Sequence, residues 1–218
     1  MSARPSLLSV WNDIDAVDED EFNLWYREEH LGERLGLPGI LSARRYAEVG
    51  VPRSYAAIYD TDGLAPLASP EYLERLANPT PRTRAIMPRF RNMVRAASDV
   101  VADLGDGGAK PGAVLACLEL GGGEVSAAAL KALNAKGQEL VASGAVHRIR
   151  LANPDEKATR VPNPEAKLRE KPDALPPAFV LVEGDAEDAA RAAAATLGTA
   201  LGAPHPARLY ALIEARAK

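Results

Sequence analysis

Cysteine is nearly missing: Cys117 stands alone in 218 residues, so no internal disulfide can form. That usage fits a reducing compartment, and we expect a cytoplasmic protein. Cys117 lies in the apolar run VLACLEL and reads as core rather than nucleophile. Excess positive charge is also missing. There are 26 Lys and Arg against 30 Asp and Glu, a net charge of −4, and no basic cluster of the kind a phosphate backbone needs. Nucleic acid is therefore not an expected partner. No N-terminal apolar h-region and no apolar run near ~20 residues is present, which speaks against a signal peptide and a membrane helix. The three histidines, His30, His147 and His205, are far apart with no ligand spacing, so no metal site is expected. Gly121-Gly122-Gly123 lacks the Lys-Ser/Thr of a P-loop, no GxSxG elbow occurs, and no motif supports haem ligation through His30. No cofactor is expected.

Aromatic residues make up only 5% of the chain, and most of the Trp and Tyr fall in the first 60 positions. The stretch Asp18–Gly39, DEDEFNLWYREEHLGERLGLPG, reads as one helix. Asp18 can cap its start with Glu21 three residues on, and Gly36, Pro38 and Gly39 stop it. Leu24, Leu31 and Leu35 form an aliphatic stripe that a sheet could cover. Phe22, Tyr26, His30 and Arg34, each four apart, form a second row with Trp25 and Glu29 beside it. One flat sheet cannot bury both rows centrally, so the second row is expected to line a cavity or be covered by something else.

Along the chain, strands are expected at Ser6–Asn12, Gly39–Val49, Ser54–Asp60 and Arg89–Ser98. A short helix is expected at Pro70–Ala77 and a turn-rich loop at Asn78–Arg84. The order β-α-β-β-α-β then recurs after a linker at Asp103–Gly112. Strands at Ala113–Leu120, Ala145–Leu151, Ala178–Glu183 and Ala207–Ala215 alternate with helices at Glu124–Ala142 and Asp185–Leu201, the latter capped by Asp185. This predicts an internal duplication of a ferredoxin-like unit, residues 1–104 and 105–218. The copies differ: Trp25, Tyr26, His30 and Arg34 fall on Leu130, Lys131, Ala135 and Glu139 in the second. The second copy has gained Ala152–Pro177, a long Pro- and charge-rich connection that reads as a lid or a mobile loop. One site per chain, in the first half, is expected.

Residues 6–98 resemble the EthD-like branch of the dimeric α+β barrel superfamily. The resemblance rests on WNDID, FNxWYxxEHLxERL, PGxxxARRY, YxxIYD, SPEYLxxLxNPT and PRFRNMxR, in that order. A tryptophan that often follows the NPT segment in the family is replaced here by Pro81-Arg82-Thr83-Arg84. The resemblance implies an α+β fold in which two βαββαβ repeats form a barrel of antiparallel sheets with helices outside. It implies function poorly, since similar barrels host monooxygenases, cyclases, isomerases, dehydratases, decarboxylases, haem-handling proteins and regulators.

From the residues, His30 is the first catalytic candidate, because imidazole exchanges protons near neutral pH. Glu29 or Glu33 could raise its pKa or hold its tautomer. Tyr26 and Glu29 are the candidate assistants. Arg34, Arg44 and Arg45 could fork to a carboxylate or phenolate oxygen, and Arg44 is read as sharing a strand face with Ile40 and Tyr46. Trp11, Trp25, Tyr46 and Tyr59 could wall a pocket for a flat ring, and Asn12 ends the first strand at a cavity mouth. We therefore expect a cofactor-independent enzyme of lyase, dehydratase, cyclase or isomerase type, acting on an aromatic or polyketide-like small molecule beside a ligand-sized cavity. The competing readings are a binding or assembly module whose aromatic row is a homodimer interface, and a cofactor-free or haem-dependent monooxygenase.

Overall fold

The computed structural model describes residues 5–105, 111–169 and 171–218. Eight strands close into an antiparallel barrel: β1 (Ser6–Ile14), β2 (Ile40–Glu48), β3 (Ser54–Thr61), β4 (Phe90–Gly105), β5 (Val114–Glu119), β6 (Arg148–Pro154), β7 (Phe179–Gly184) and β8 (Arg208–Ala217). Around the barrel their order is β1-β3-β2-β8-β5-β7-β6-β4. Read from β4, the sequence 4-1-3-2 is followed by its counterpart 8-5-7-6. Two long strands sew the halves together. β4 pairs with β1 through Phe90–Asp99 and with β6 through Ser98–Gly105; β8 pairs with β5 through Arg208–Ala211 and with β2 through Tyr210–Ala217. Closure leaves no free sheet edge to pair with another chain.

The strand period of two sorts the side chains into an inside and an outside. Leu7, Trp11, Tyr46, Ile58, Ala96, Leu115, Cys117, Phe179, Leu181 and Tyr210 form one buried cluster drawn from strands all round the barrel, which is its interior. Burial there pushes the Cys117 thiol up to about 12, so it is a core residue and no nucleophile. The interior also holds four charges. Arg44 binds Asp60 at 2.5 Å and Glu183 at 3.0 Å; Arg150 binds Asp60 at 2.6 Å and Glu183 at 2.7 Å. Each half supplies one arginine and one carboxylate, so each buried charge has two opposite partners, which offsets its desolvation.

Two helical layers cover the outside. The second half uses α5 (Ala127–Ala142) and α7 (Glu187–Leu201), which bury Leu133, Ala190, Ala193, Ala194 and Leu197 against β5–β7. The first half uses α1 (Glu19–Trp25), α2 (Leu31–Gly36), α3 (Pro70–Ala77) and α4 (Pro81–Ile86). The sixth helix, α6 (Glu156–Thr159), lies in the long connection before β7. Among the described residues no helix is long and apolar enough to cross a membrane.

Several boundaries differ from the sequence reading, each for a local reason. Asp103–Gly105 continue β4 rather than starting a linker, because β6 offers them backbone partners and Arg148 meets Asp103 at 2.6 Å. The rest of that linker includes 106–110, outside the described residues. Pro81–Ile86 is helical, not loop: Pro81 sits in the first turn, where its missing N–H costs nothing, and the Thr80 hydroxyl accepts from the Thr83 N–H. Asp18 makes no cap and instead pairs with Arg89, while Glu21 pairs with Arg82. Asp185 does not cap α7; its carboxylate accepts from the Ala113 N–H and meets His147 at 2.9 Å.

Candidate functional site

Between α1 and α2 the helix widens into a π turn at Tyr26–His30, and the Leu31 N–H donates to the Tyr26 carbonyl, five residues back. Such single-turn bulges rotate the following side chains and often mark functional sites. Here the bulge brings Trp25 and His30, five apart, into a tilted stack with centroids 4.2 Å apart. Tyr26 meets the His30 ring edge-on at 5.1 Å. The sequence spacing assumed a regular helix and placed His30 in a row with Phe22 and Tyr26, with Trp25 beside it.

The aromatic row is the more deeply buried of the two, and of the leucine stripe only Leu31 is fully buried. Phe22, Trp25, Tyr26, His30, Leu31 and Arg34 are buried, whereas Leu24 and Leu35 are only half-buried. The aromatic row packs on the outer face of the β1–β4 sheet, against Val10, Tyr55, Tyr59 and Phe90. It is therefore not exposed to serve as a subunit interface. The Trp25 Nε1–H donates to Thr83 Oγ1 at 3.1 Å, in the stretch first read as loop.

His30, Tyr26, Trp25, Tyr59 and Arg34 line one small cavity together with Tyr72, Met87, Arg95, Glu165 and Arg169. Its volume is about 40 Å³. A water needs roughly 10–15 Å³ of such space, so the cavity as closed has room for a few waters and not for an aromatic ring. The expected ligand-sized hollow beside His30 is thus not open. What closes it is the connection between β6 and β7. This segment carries α6 and a 3₁₀ turn, Pro164–Leu168, and Ala174 pairs with Val94 of β4. Arg34 Nη2 donates to both oxygens of Glu165, at 2.9 and 2.7 Å, with both side chains about 5% exposed. A residue of the second half thus completes a site in the first.

The electrostatics follow from burial. His30 is held well below 6.5, first by burial, then by Arg34 and Arg45, so it is neutral at pH 7. Among the described residues no carboxylate supports it. Glu29 accepts from Thr80 and Thr83, and Glu33 binds Arg75 at 3.1 Å, so neither tunes the imidazole as expected. Burial raises Tyr26, and burial with the neighbouring Tyr26 raises Tyr59, so both phenols stay protonated donors. For Arg34 burial works against the charge, but Glu165 outweighs it and the net shift is upward. Among the described residues His30 Nδ1 and Arg34 Nη1 are buried with no hydrogen-bond partner, while the Tyr59 hydroxyl lies against that of Tyr26. Two unsatisfied polar atoms around one cavity are costly in a plain core and call for an explanation. Arg45 approaches the same aromatic group from behind, 4.7, 4.3 and 4.8 Å from the Phe22, Tyr26 and Tyr55 ring centres.

The remaining sequence candidates lie elsewhere. Arg44 and Tyr46 point into the barrel, across the sheet from His30; Ile40, on the outside, does not share their face because the β2–β3 register shifts between Ile40 and Ser42. Trp11 is also inside, edge-on to Phe179 at 5.1 Å. Asn12 is buried next to a register shift in β1 and donates to the Asp13 carbonyl at 3.1 Å, away from the cavity. Glu29 holds α4 to the π turn. Conversely, Tyr72, Arg95, Glu165 and Arg169 were not singled out. Tyr72 and Arg95 sit within the quoted SPEYL and PRFRNMxR motifs, which was the one available signal; nothing local marks Glu165.

No protein-family model and no curated protein matches this sequence. Solved structures match over nearly the whole chain. A candidate monooxygenase from Fusobacterium nucleatum is 10% identical with a TM-score of 0.64, covering 100% of this chain and 96% of its own. An anthrone oxidase-like protein is 11% identical with a TM-score of 0.59, covering 98% and 93%. A candidate monooxygenase from Lactobacillus acidophilus is 12% identical with a TM-score of 0.51, covering 98% and 96%. The chain shares their α+β barrel fold. At these identities the likeness is one of fold alone, and the EthD-like resemblance is not established as family membership.

Proposed function

We propose that this protein is an enzyme that removes a proton from an enolisable or phenolic aromatic small molecule, with His30 as the base. The observation that carries the reading is a buried imidazole that lines one small cavity together with an unpaired guanidinium nitrogen and two phenols. A base must be unprotonated to act, and burial keeps His30 so at neutral pH. Taking the proton would create an imidazolium near Arg34 and Arg45, which is unfavourable unless a negative charge appears beside it. The substrate oxyanion supplies that charge. The free Arg34 nitrogen, with the Tyr59 and Tyr26 hydroxyls, is suited to receive it. Trp25 and Tyr26 offer apolar faces for the ring.

Deprotonation opens several outcomes: loss of a leaving group, ring closure, isomerisation, or attack of the carbanion on dioxygen. The lyase-type outcome is our first reading. The oxygenase outcome is the second, and the neighbours described as candidate monooxygenases and anthrone oxidase-like favour it only through their shared fold. Both begin with the same step, so that step is the one to test. Anthrone and 1-tetralone incubated in D₂O and followed by NMR would report it. The protein should accelerate exchange of the acidic C–H, and His30→Ala should lower the rate by about 10²-fold or more. Exchange that is absent, or unchanged in His30→Ala, would sink the proposal.

A further inference from the structure

Between Arg95 and residues of the β6–β7 connection from Thr159 to Leu175 lies a second, larger hollow of about 490 Å³. That is within the usual range of small-molecule sites. It shares Arg95, Asn163 and Arg169 with the His30 cavity, so these residues form the partition between the two. Its wall is basic in an acidic protein. Among the described residues Arg95, Arg160, Lys167, Arg169 and Lys171 line it, with Asp173 as the one carboxylate. Asp173 is already engaged by Arg169 at 2.5 Å, and Arg160 turns to Glu156 at 2.7 Å.

Arg95 is the decisive group. It is 4% exposed, and its guanidinium donates to the Thr159 carbonyl at 2.8 Å and the Tyr72 hydroxyl at 3.3 Å. Among the described residues no carboxylate pairs with it. A buried cation without a counter-anion is expensive, and one placed on the wall between two hollows is most simply matched by an anion that comes and goes. Lys167 and Lys171 are exposed at the rim, also without a carboxylate partner among the described residues, where they can draw an anion in.

We infer that this hollow binds the anionic tail, carboxylate or phosphate, of a substrate whose aromatic end reaches His30. The inference rests on the proposed function only for where the reacting end goes; the anion site stands on its own geometry. It makes the substrate amphiphilic: a flat ring for the aromatic cavity and a negative group some way from the reacting carbon. It also explains why the inner cavity is small when closed. The partition and the Arg34–Glu165 contact must shift for the ring to pass.

Calorimetric titration with 2-naphthoate, 2-naphthyl phosphate and the neutral 2-naphthamide tests this on the full chain. At least one anion should bind about tenfold or more tightly than the amide, and the tighter of the two names the anionic group. Raising salt from 50 to 500 mM should weaken the anion and leave the amide unchanged. Lys167→Ala with Lys171→Ala, both at exposed positions, should lower anion affinity severalfold without changing thermal stability, and Arg95→Gln should lower it further. Equal affinity for anions and amide, no binding of any probe, or anion binding untouched by the double variant would each overturn the inference. Proton exchange lost in His30→Ala would still stand in those cases. Conversely, anion binding retained in an inert His30→Ala protein supports the site independently of the chemistry.

Discussion

Arg34 in α2 and Glu165 in the β6–β7 connection, 131 positions apart, meet at 2.7 Å with both side chains nearly buried. This contact ties the decorated first half to the insertion of the second. It closes the His30 cavity and occupies only one of the two terminal nitrogens of Arg34, leaving Nη1 unpaired.

Glu165→Gln removes the carboxylate that, among the described residues, alone pairs with that guanidinium. An unpaired buried charge costs about 3–5 kcal/mol, more than a surface segment can hold against, so the connection should open locally rather than unfold the barrel. Trypsin cleavage at Lys157 or Lys167 should accelerate at least tenfold. Arg34→Met combined with Glu165→Leu should restore protection, because no charge is then stranded. An unchanged cleavage rate in Glu165→Gln would mean that the ion pair does not hold the segment.

His30 sets an acid-side limit on stability. Its folded pKa lies well below 6.5, so the unfolded chain binds the proton more readily. Its contribution is fully present above pH 6.5 and is lost as pH falls through the folded value. Urea melts of the protein and of His30→Asn should run parallel at pH 7–9 and converge below 6.5, where only the parent pays for an unprotonated imidazole. Parallel curves down to pH 5 would show that His30 is hydrated in solution.

A second acid limit lies inside the barrel. Burial opposes ionisation of Asp60, but Arg150 and Arg44 more than offset it and hold it at about 2, against 3.8 ordinarily. Its stabilisation is present above pH 3.8 and fades as pH drops toward 2. The shift corresponds to about 2 kcal/mol at neutral pH. Asp60→Asn leaves Arg44 and Arg150 with Glu183 alone and should destabilise by about 3–5 kcal/mol at pH 7. The gap to the parent should narrow on acidification; a gap independent of pH between 7 and 2.5 would contradict this assignment.

Gly39 and Gly50 separate two costs of a side chain. Both have positive φ, +77° and +76°, but a Cβ on Gly39 would lie 2.3 Å from Pro66 Cγ, while one on Gly50 meets nothing within 4 Å. Gly50→Ala should cost about 1–2 kcal/mol from backbone strain alone. Gly39→Ala should cost clearly more, since Pro66 is rigid and starts a packed turn. Equal losses in chemical denaturation would show that the Pro66 turn yields freely.

Periodicity and turn residues were enough to place the eight strands and the doubled βαββαβ order, because strand alternation and helix punctuation are written locally. The same residues singled out His30, Tyr26, Trp25, Arg34 and Tyr59, which the fold brings into one cavity. They could not say which face of β1 or β2 turns inward, and so Trp11, Arg44 and Tyr46 were grouped with residues on the other side of the sheet. In β2 one register shift, between Ile40 and Ser42, takes Ile40 off the face of Arg44 and Tyr46, and a strand carries no local mark of such a shift. Nor could they anticipate the π turn that stacks Trp25 on His30, or Glu165 as the partner of Arg34. By itself, then, the sequence determined the elements, their repetition and the lopsided placement of reactive side chains. Only closure of the barrel decided which charges pair inside it, which aromatic faces meet, and that a segment of one half seals the site of the other. Those outcomes depend on contacts between residues remote in the chain, and their energies arise only once water has been excluded.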